Sequence, residues 1–360
     1  MILASIFAFR WYARSRMRSV GIAPTVTSPP GVVTGEGFLS TGVFAEGLDV
    51  GSVTDIAIGE FDPSPGTEVG IAGQRGAAFL DEAAGVKSSV QFGNAGVRVD
   101  IIDVEGDGVC EFMECGLWRV PASVIDHQGT TLWTYGEGGA GVADMAAGDI
   151  DGDGALEFVV GSDADGGVHL LESDGTLVWQ QPDDDVWHVE FVDTDGDGSL
   201  EIVHTNAAGQ MTVRDLLGKV IRQGTPAGYY PRFSLCRWPV DGPVPLPLIA
   251  DDGTLGIYDY GSKTVAQFDA PQCGLLGEAR GTPVRLRAGQ SPHLAVLVDF
   301  RGRSQAVLYV YDSEGGLVYQ EIVPESCPSI AVLPLPDGQT EALLVGANDR
   351  VLRYDFAEAD

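Results

Sequence analysis

The sequence predicts an all-β chain: a seven-bladed β-propeller of four-stranded antiparallel blades, closed by a strand from its N-terminal side. Three observations predict it. Gly and Pro are frequent, 49 and 20 among 360 residues, which is incompatible with sustained 3.6-residue periodicity. An apolar strand, an acidic Gly-containing loop and a second strand recur, with Glu68, Glu111, Glu157, Glu201, Pro247, His293 and Glu341 in one register. The spacing between these positions stays within a few residues of forty-five, and repeats of ~40–45 residues with four strands each characterise propellers.

Each unit can be taken in order. After the second strand come a polar loop, a third strand, a tight turn such as Asp174-Gly175, Gln128-Gly129 or Gly315-Gly316, and a fourth strand often bearing Trp or Tyr. One four-stranded sheet of this size cannot bury both faces, so neighbours must stack. The last copy ends after a third strand, RVLRYDF, and a strand from residues 36–50 would supply its fourth. Such closure removes free sheet edges. Residues 35–360 are thus assigned to the propeller.

Residues 1–34 differ. They carry Arg10, Arg14, Arg16 and Arg18 and no acid, leaving 17 basic and 52 acidic residues beyond them. The apolar run MILASIFAF is shorter than the ~20 residues needed to span a bilayer. Its charge follows rather than precedes it, unlike a secretory signal. Two readings stand: an irregular start, or a basic amphipathic helix docking on a membrane or a partner. Residues 20–34 read as a Pro-rich linker. The whole-chain charge of −31 opposes phosphate backbones and excludes nucleic acid as a main partner.

Three acidic loops carry the chemistry: DVEGDGVCE from Asp103, DIDGDGALE from Asp149 and DTDGDGSLE from Asp193. Oxygen donors at positions 1, 3, 5 and 9, with Gly at 6 for the bend, suit a hard cation such as Ca²⁺. In the second loop the expected donors are Asp149, Asp151, Asp153, Glu157 and the carbonyl of Ala155. Clustered carboxylates repel one another, and a cation relieves that repulsion. Strands flank the loop, and Glu falls at position 9 rather than the twelfth position of an EF-hand. The first unit offers Glu60, Asp62, Ser64 and Glu68 with prolines between them; later units, as in CRWPVDGPVPLP, lack the set.

Loops of the form DxDGDGxxE between strands in seven units resemble the FG-GAP or VCBS-type repeats of integrin α-subunit propellers. The resemblance implies two to three Ca²⁺ ions, at Asp103, Glu105, Asp107 and Glu111, at Asp149, Asp151, Asp153 and Glu157, and at Asp193, Asp195, Asp197 and Glu201. It also implies a non-enzymatic recognition, adhesion or scaffold subunit with protein partners. Here Glu stands at the ninth position where the family usually has Asp.

The face opposite these loops is expected to hold Trp187, His188, Tyr229, Tyr230 and Arg232. Their rings suit sugar stacking or a protein hot spot, or else they plug the channel. The alternative function is a glycan-binding or polysaccharide lyase-type propeller acting on an acidic glycan, with His188 and Arg232 as the only base candidate. The five histidines show no metal-ligand spacing, and His293 reads as a surface replacement of the repeated Glu. The five cysteines are an odd number, and Cys110 and Cys115 fall on opposite faces of one predicted strand. Extracellular Ca²⁺ sites work at ~10⁻⁴–10⁻³ M, which points to an extracytoplasmic location.

Overall fold

The computed structural model describes residues 33–35, 37–61, 66–92, 98–116, 121–136, 141–162, 166–183, 185–226, 232–239, 241–274, 277–300 and 304–357. The described residues form seven antiparallel sheets, six of four strands and one of five. In chain order, blade 1 comprises Val53–Gly59, Glu68–Gly73, Gly76–Asp81 and Val86–Gln91, and blade 2 comprises Arg98–Ile102, Glu111–Cys115, Ala122–Ile125 and Thr131–Tyr135. Blade 3 holds Val142–Gly148, Glu157–Ser162, Gly167–Leu171 and Leu177–Gln181. Blade 4 holds Val186–Val192, Glu201–Asn206, Met211–Arg214 and Val220–Gly224. Blade 5 is Ser234–Cys236, Leu246–Asp251, Thr254–Tyr258 and Thr264–Asp269; blade 6 is Glu278–Val284, His293–Phe300, Gln305–Tyr311 and Leu317–Val323. Blade 7 takes Ser329–Pro334, Glu341–Gly346 and Arg350–Phe356 from the end of the chain, and its outer strand, Leu39–Glu46, from the beginning.

This is the expected closure. Leu39 pairs with Phe356 and Glu46 with Arg350, so the two ends of the chain share one sheet. Val33–Thr34, expected to lie in the linker, instead adds a short fifth strand to blade 6 through Glu321 and Gln320.

The ring is held by apolar clusters between sheets. Each strand turns one set of side chains to the preceding blade and the other set to the following one, because side chains alternate across a strand. Phe112 and Ile125 of blade 2 meet Ala72 and Ala77 of blade 1. Met113 and Val124, on the other face, meet Val142, Met145 and Phe158 of blade 3. Val159 and Val168 meet Val186, Val189 and Ile202 of blade 4. Equivalent clusters join blades 4 and 5, 5 and 6, 6 and 7, and 7 and 1. The second and third strands are therefore buried on both faces, which explains their near-continuous apolar runs.

The repeated aromatic residue of the fourth strand is a latch between blades. The indole N–H of Trp133 donates to Ser173 O (3.0 Å) in the turn of blade 3, and that of Trp179 to Leu216 O (2.8 Å) in blade 4. Gly175 has φ +81°, and a Cβ there would stand 2.8 Å from the Trp133 ring, so both backbone and packing demand glycine. The third-to-fourth turns are fixed by a leading carboxylate. One oxygen of Asp81, Asp126, Asp215, Asp259 and Asp312 accepts the amides two and four residues on.

Candidate metal-binding loops and the channel cluster

The acidic loops join the first and second strands of blades 2, 3 and 4. Gly106, Gly152 and Gly196 at position 4, and Gly108, Gly154 and Gly198 at position 6, all have positive φ. These bends turn the intervening amides inward. Asp149 accepts from Gly152 N (2.6 Å) and Gly154 N (3.2 Å), and Asp193 from Gly196 N (2.6 Å) and Gly198 N (2.9 Å). Asp103 repeats the pattern. Burial alone would raise the Asp193 carboxyl, but the amides of Gly198, Gly196, Asp195 and Asp197 outweigh it and hold the group below its usual range.

In two loops the carboxylates converge. Asp149, Asp151 and Asp153 bring one oxygen each within 4.8 Å of the others, and so do Asp193, Asp195 and Asp197. Among the described residues Asp103, Glu105 and Asp107 form no such group; Glu105 places a longer side chain at position 3. The donor sets of blades 3 and 4 are all hard oxygens, the chemistry a divalent cation such as Ca²⁺ requires.

The ninth-position Glu stands apart from the triplets. Glu111 Oε2 accepts from Val104 N (2.9 Å), Glu157 Oε2 from Ile150 N (3.1 Å), and Glu201 Oε2 from Thr194 N (2.9 Å). Glu68 does the same for Phe61 N (2.5 Å) in blade 1, which has no Asp triplet. Each therefore clips the loop's second residue to the start of the second strand. Burial pushes the Glu157 carboxyl up, the Ile150 amide pulls it down, and Asp151 and Asp153 push it up again. Adjacent loops also touch: Leu156 N donates to Val104 O at 2.9 Å.

On the opposite side the structure describes three of the five expected residues, Trp187, His188 and Arg232. His188 and Arg232 are buried and committed to Asp144, which is fully buried on the first strand of blade 3. Arg98 Nη1 lies 2.7 Å from Asp144 Oδ1, His188 Nδ1 bonds Oδ2, and Arg232 Nη1 stands 3.5 Å away. Arg232 Nη2 also donates to Ala143 O (2.9 Å), and the His188 ring packs edge-on to Phe233 at 4.4 Å. Burial alone would raise the Asp144 carboxyl; Arg98, Arg232 and His188 together hold it well below the usual range. These side chains tie blades 2, 3, 4 and 5 together. Trp187 is half-buried at a bulge in its strand, where pairing passes from Val186 to His188. Tyr229 and Tyr230 lie outside the described residues.

Sequence reasoning missed the partners of this cluster, although their signal was present. Asp55, Asp100, Asp144 and Glu190 recur on first strands at the repeat spacing. Burial, and after it Asp100, pushes Asp55 up to about 6. His293, expected at the surface, is buried with its ring 5.6 Å from that of Phe38. All five cysteines are buried and free, and Cys110 precedes the strand that Cys115 ends.

Comparisons agree with this architecture. Residues 149–204 match the family described as FG-GAP-like repeat. No curated protein matches the chain. Among solved structures, the chain is similar to BBS1N crystallised with ARL6DN. In one such crystal the TM-score is 0.62 at 11% identity, covering 92% of this chain and 97% of that one. In another it is 0.58 at 12%, covering 91% and 96%. The Pan2 WD40 domain of Neurospora crassa gives 0.56 at 10%, covering 92% and 99%. At these identities the likeness is one of fold, and that fold is the β-propeller.

Proposed function

We propose that the chain is a Ca²⁺-stabilised propeller serving as a recognition or scaffold subunit for protein partners. The observation that carries the reading is the pair of Asp triplets, Asp149/Asp151/Asp153 and Asp193/Asp195/Asp197, in the same register of adjacent blades. Each triplet gathers three negative charges on an exposed loop, and a bound cation offsets their repulsion. The Gly bends and the Glu clip place the carboxylates; the cation would complete the hairpin. A metal there stiffens one face of the ring, which suits display of loops to another protein. BBS1N, a neighbour by fold, was crystallised with a protein partner, which supports the general class. Sites of this kind work at ~10⁻⁴–10⁻³ M Ca²⁺ in extracellular modules, which favours an extracytoplasmic location.

Calorimetric titration of Ca²⁺ into the full chain tests the assignment. Two ions should bind, and Asp151→Ala should leave one. Absence of binding in the unaltered protein, or unchanged stoichiometry in the variant, would remove it.

A further inference from the structure

The three acidic loops carry the same charge, yet only two of them gather it. Asp103, Glu105, Asp107 and Glu111 match Asp149, Asp151, Asp153 and Glu157 carboxylate for carboxylate. If charge alone built a cation site, blade 2 would hold one as blades 3 and 4 do. Among the described residues, converging oxygens occur in blades 3 and 4 and not in blade 2.

The rest of the blade 2 loop is in place. Gly106 and Gly108 have φ +68° and +82°, against +80° and +93° at Gly152 and Gly154. Asp103 accepts from Gly106 N (2.8 Å) and Gly108 N (2.9 Å), as Asp149 and Asp193 do from the matching amides. At position 5, Asp107 accepts from Val109 N at 2.8 Å, the distance also found for Asp153 with Ala155 N and for Asp197 with Ser199 N. The ninth-position clip from Glu111 to Val104 N is made as well.

The loops part at position 3. Asp151 Oδ1 accepts from Asp153 N (3.1 Å), and Asp195 Oδ1 from Asp197 N (3.3 Å). This fold back onto the amide two residues on is a property of the short Asp side chain. It holds the position-3 carboxylate beside that of position 5. Glu is one methylene longer and would close a larger ring; in blade 2 the matching amide, Asp107 N, donates to Asp103 Oδ1 (3.2 Å). Glu105, Asp151 and Asp195 are all exposed, so no packing requirement sets the length of this side chain. The family match begins at Asp149, beyond the blade 2 loop.

We propose that side-chain length at position 3 decides which loops of this chain take a cation, and that Glu105 silences the loop of blade 2. The inference rests on the Ca²⁺ reading above and sharpens it: the third loop is one methylene away from a site.

Equilibrium dialysis of the full chain against Ca²⁺ counts the bound ions, and exchanging Asp with Glu tests position 3 at constant charge. The parent should bind two ions, Glu105→Asp three and Asp151→Glu one. Diffuse attraction of Ca²⁺ to an acidic chain is the same in all three proteins and cannot produce these steps. Both altered positions are exposed, and thermal melts without Ca²⁺ confirm that each variant folds. Three ions in the parent, no third ion in Glu105→Asp, or two retained in Asp151→Glu overturns this inference and leaves the Ca²⁺ reading standing. No ion in the parent removes both.

Discussion

Blades 2 to 4 and blades 5 to 7 close the same hairpin by different means. In the first group a Gly-bent loop folds over inward-facing amides, clipped by the ninth-position Glu and lined with carboxylates. In blade 5 the loop is held by Arg237 Nη1, which donates to Gly242 O (2.7 Å) and Pro243 O (2.9 Å), and by Tyr260 Oη, which donates to Pro245 O (2.7 Å). In blade 6 the Arg287 guanidinium lies 4.1 Å from the Phe356 ring centroid. Glu341 of blade 7 has the residue type repeated in this register but accepts from Arg285 N (2.6 Å) of blade 6 instead of its own loop. Blade 7 itself uses a tight turn around Asp337, which accepts from Gln339 N and Thr340 N at 2.8 Å. The strand frame therefore accepts loops closed in different ways, and among the described residues only blades 3 and 4 carry converging donor sets that a cation would complete.

The comparison can be broken by chelation. If Ca²⁺ occupies the triplets, each site stabilises the fold by about 2.7 kcal/mol when free ion stands a hundredfold above Kd. Melts with and without chelator should then differ by several degrees, and Asp153→Ala with Asp197→Ala should abolish the difference. Acid gives the next effect. Burial, partly countered by Asp183 and reinforced by Arg214, lowers His204 from 6.5 to about 4. A histidine whose folded pKa is depressed is neutral in the fold and charges first in the unfolded chain, so stability falls as pH drops from about 6.5 to about 4. The loss is on the order of 3 kcal/mol, and His204→Gln should flatten that part of the pH–stability curve.

Glu157→Ala and Glu68→Ala should each cost about 1–3 kcal/mol by orphaning a half-buried amide, Glu68→Ala also releasing Lys87 from its ion pair, as measured by urea unfolding. Equal costs with and without Ca²⁺ would mark the Glu as a clip alone; a larger cost for Glu157→Ala with Ca²⁺ present would add it to the ligands. The smallest effect is expected for Trp133→Phe, which removes one N–H···O bond between blades, about 1 kcal/mol.

The even spacing of Glu68, Glu111, Glu157 and Glu201 made the fold legible, because a repeat that cannot bury itself alone must stack. The closing strand was legible too, since RVLRYDF lacked a fourth partner. What the ninth-position Glu bonds was not, because a carboxylate near both an amide and other carboxylates is chosen by geometry, not by residue type. His188 and Arg232 were named without their shared partner, Asp144, which only the closed ring brings to both. His293 was misread because its covering ring, Phe38, comes from the far end of the chain. The Asx turns led by Asp81, Asp126, Asp215, Asp259 and Asp312 were readable in the sequence and passed unnoticed beside the louder acidic loops.

The sheet shared by both termini has a consequence for biogenesis. Ser40 donates to Asp355 O across 315 positions of chain, so Leu39–Glu46 leaves the ribosome well before its partner Arg350–Phe356. At ~5–20 residues per second, that wait is on the order of half a minute. Until Arg350–Phe356 is released, the nascent circle stays open at one seam, and its closure zips together two strands made far apart in time.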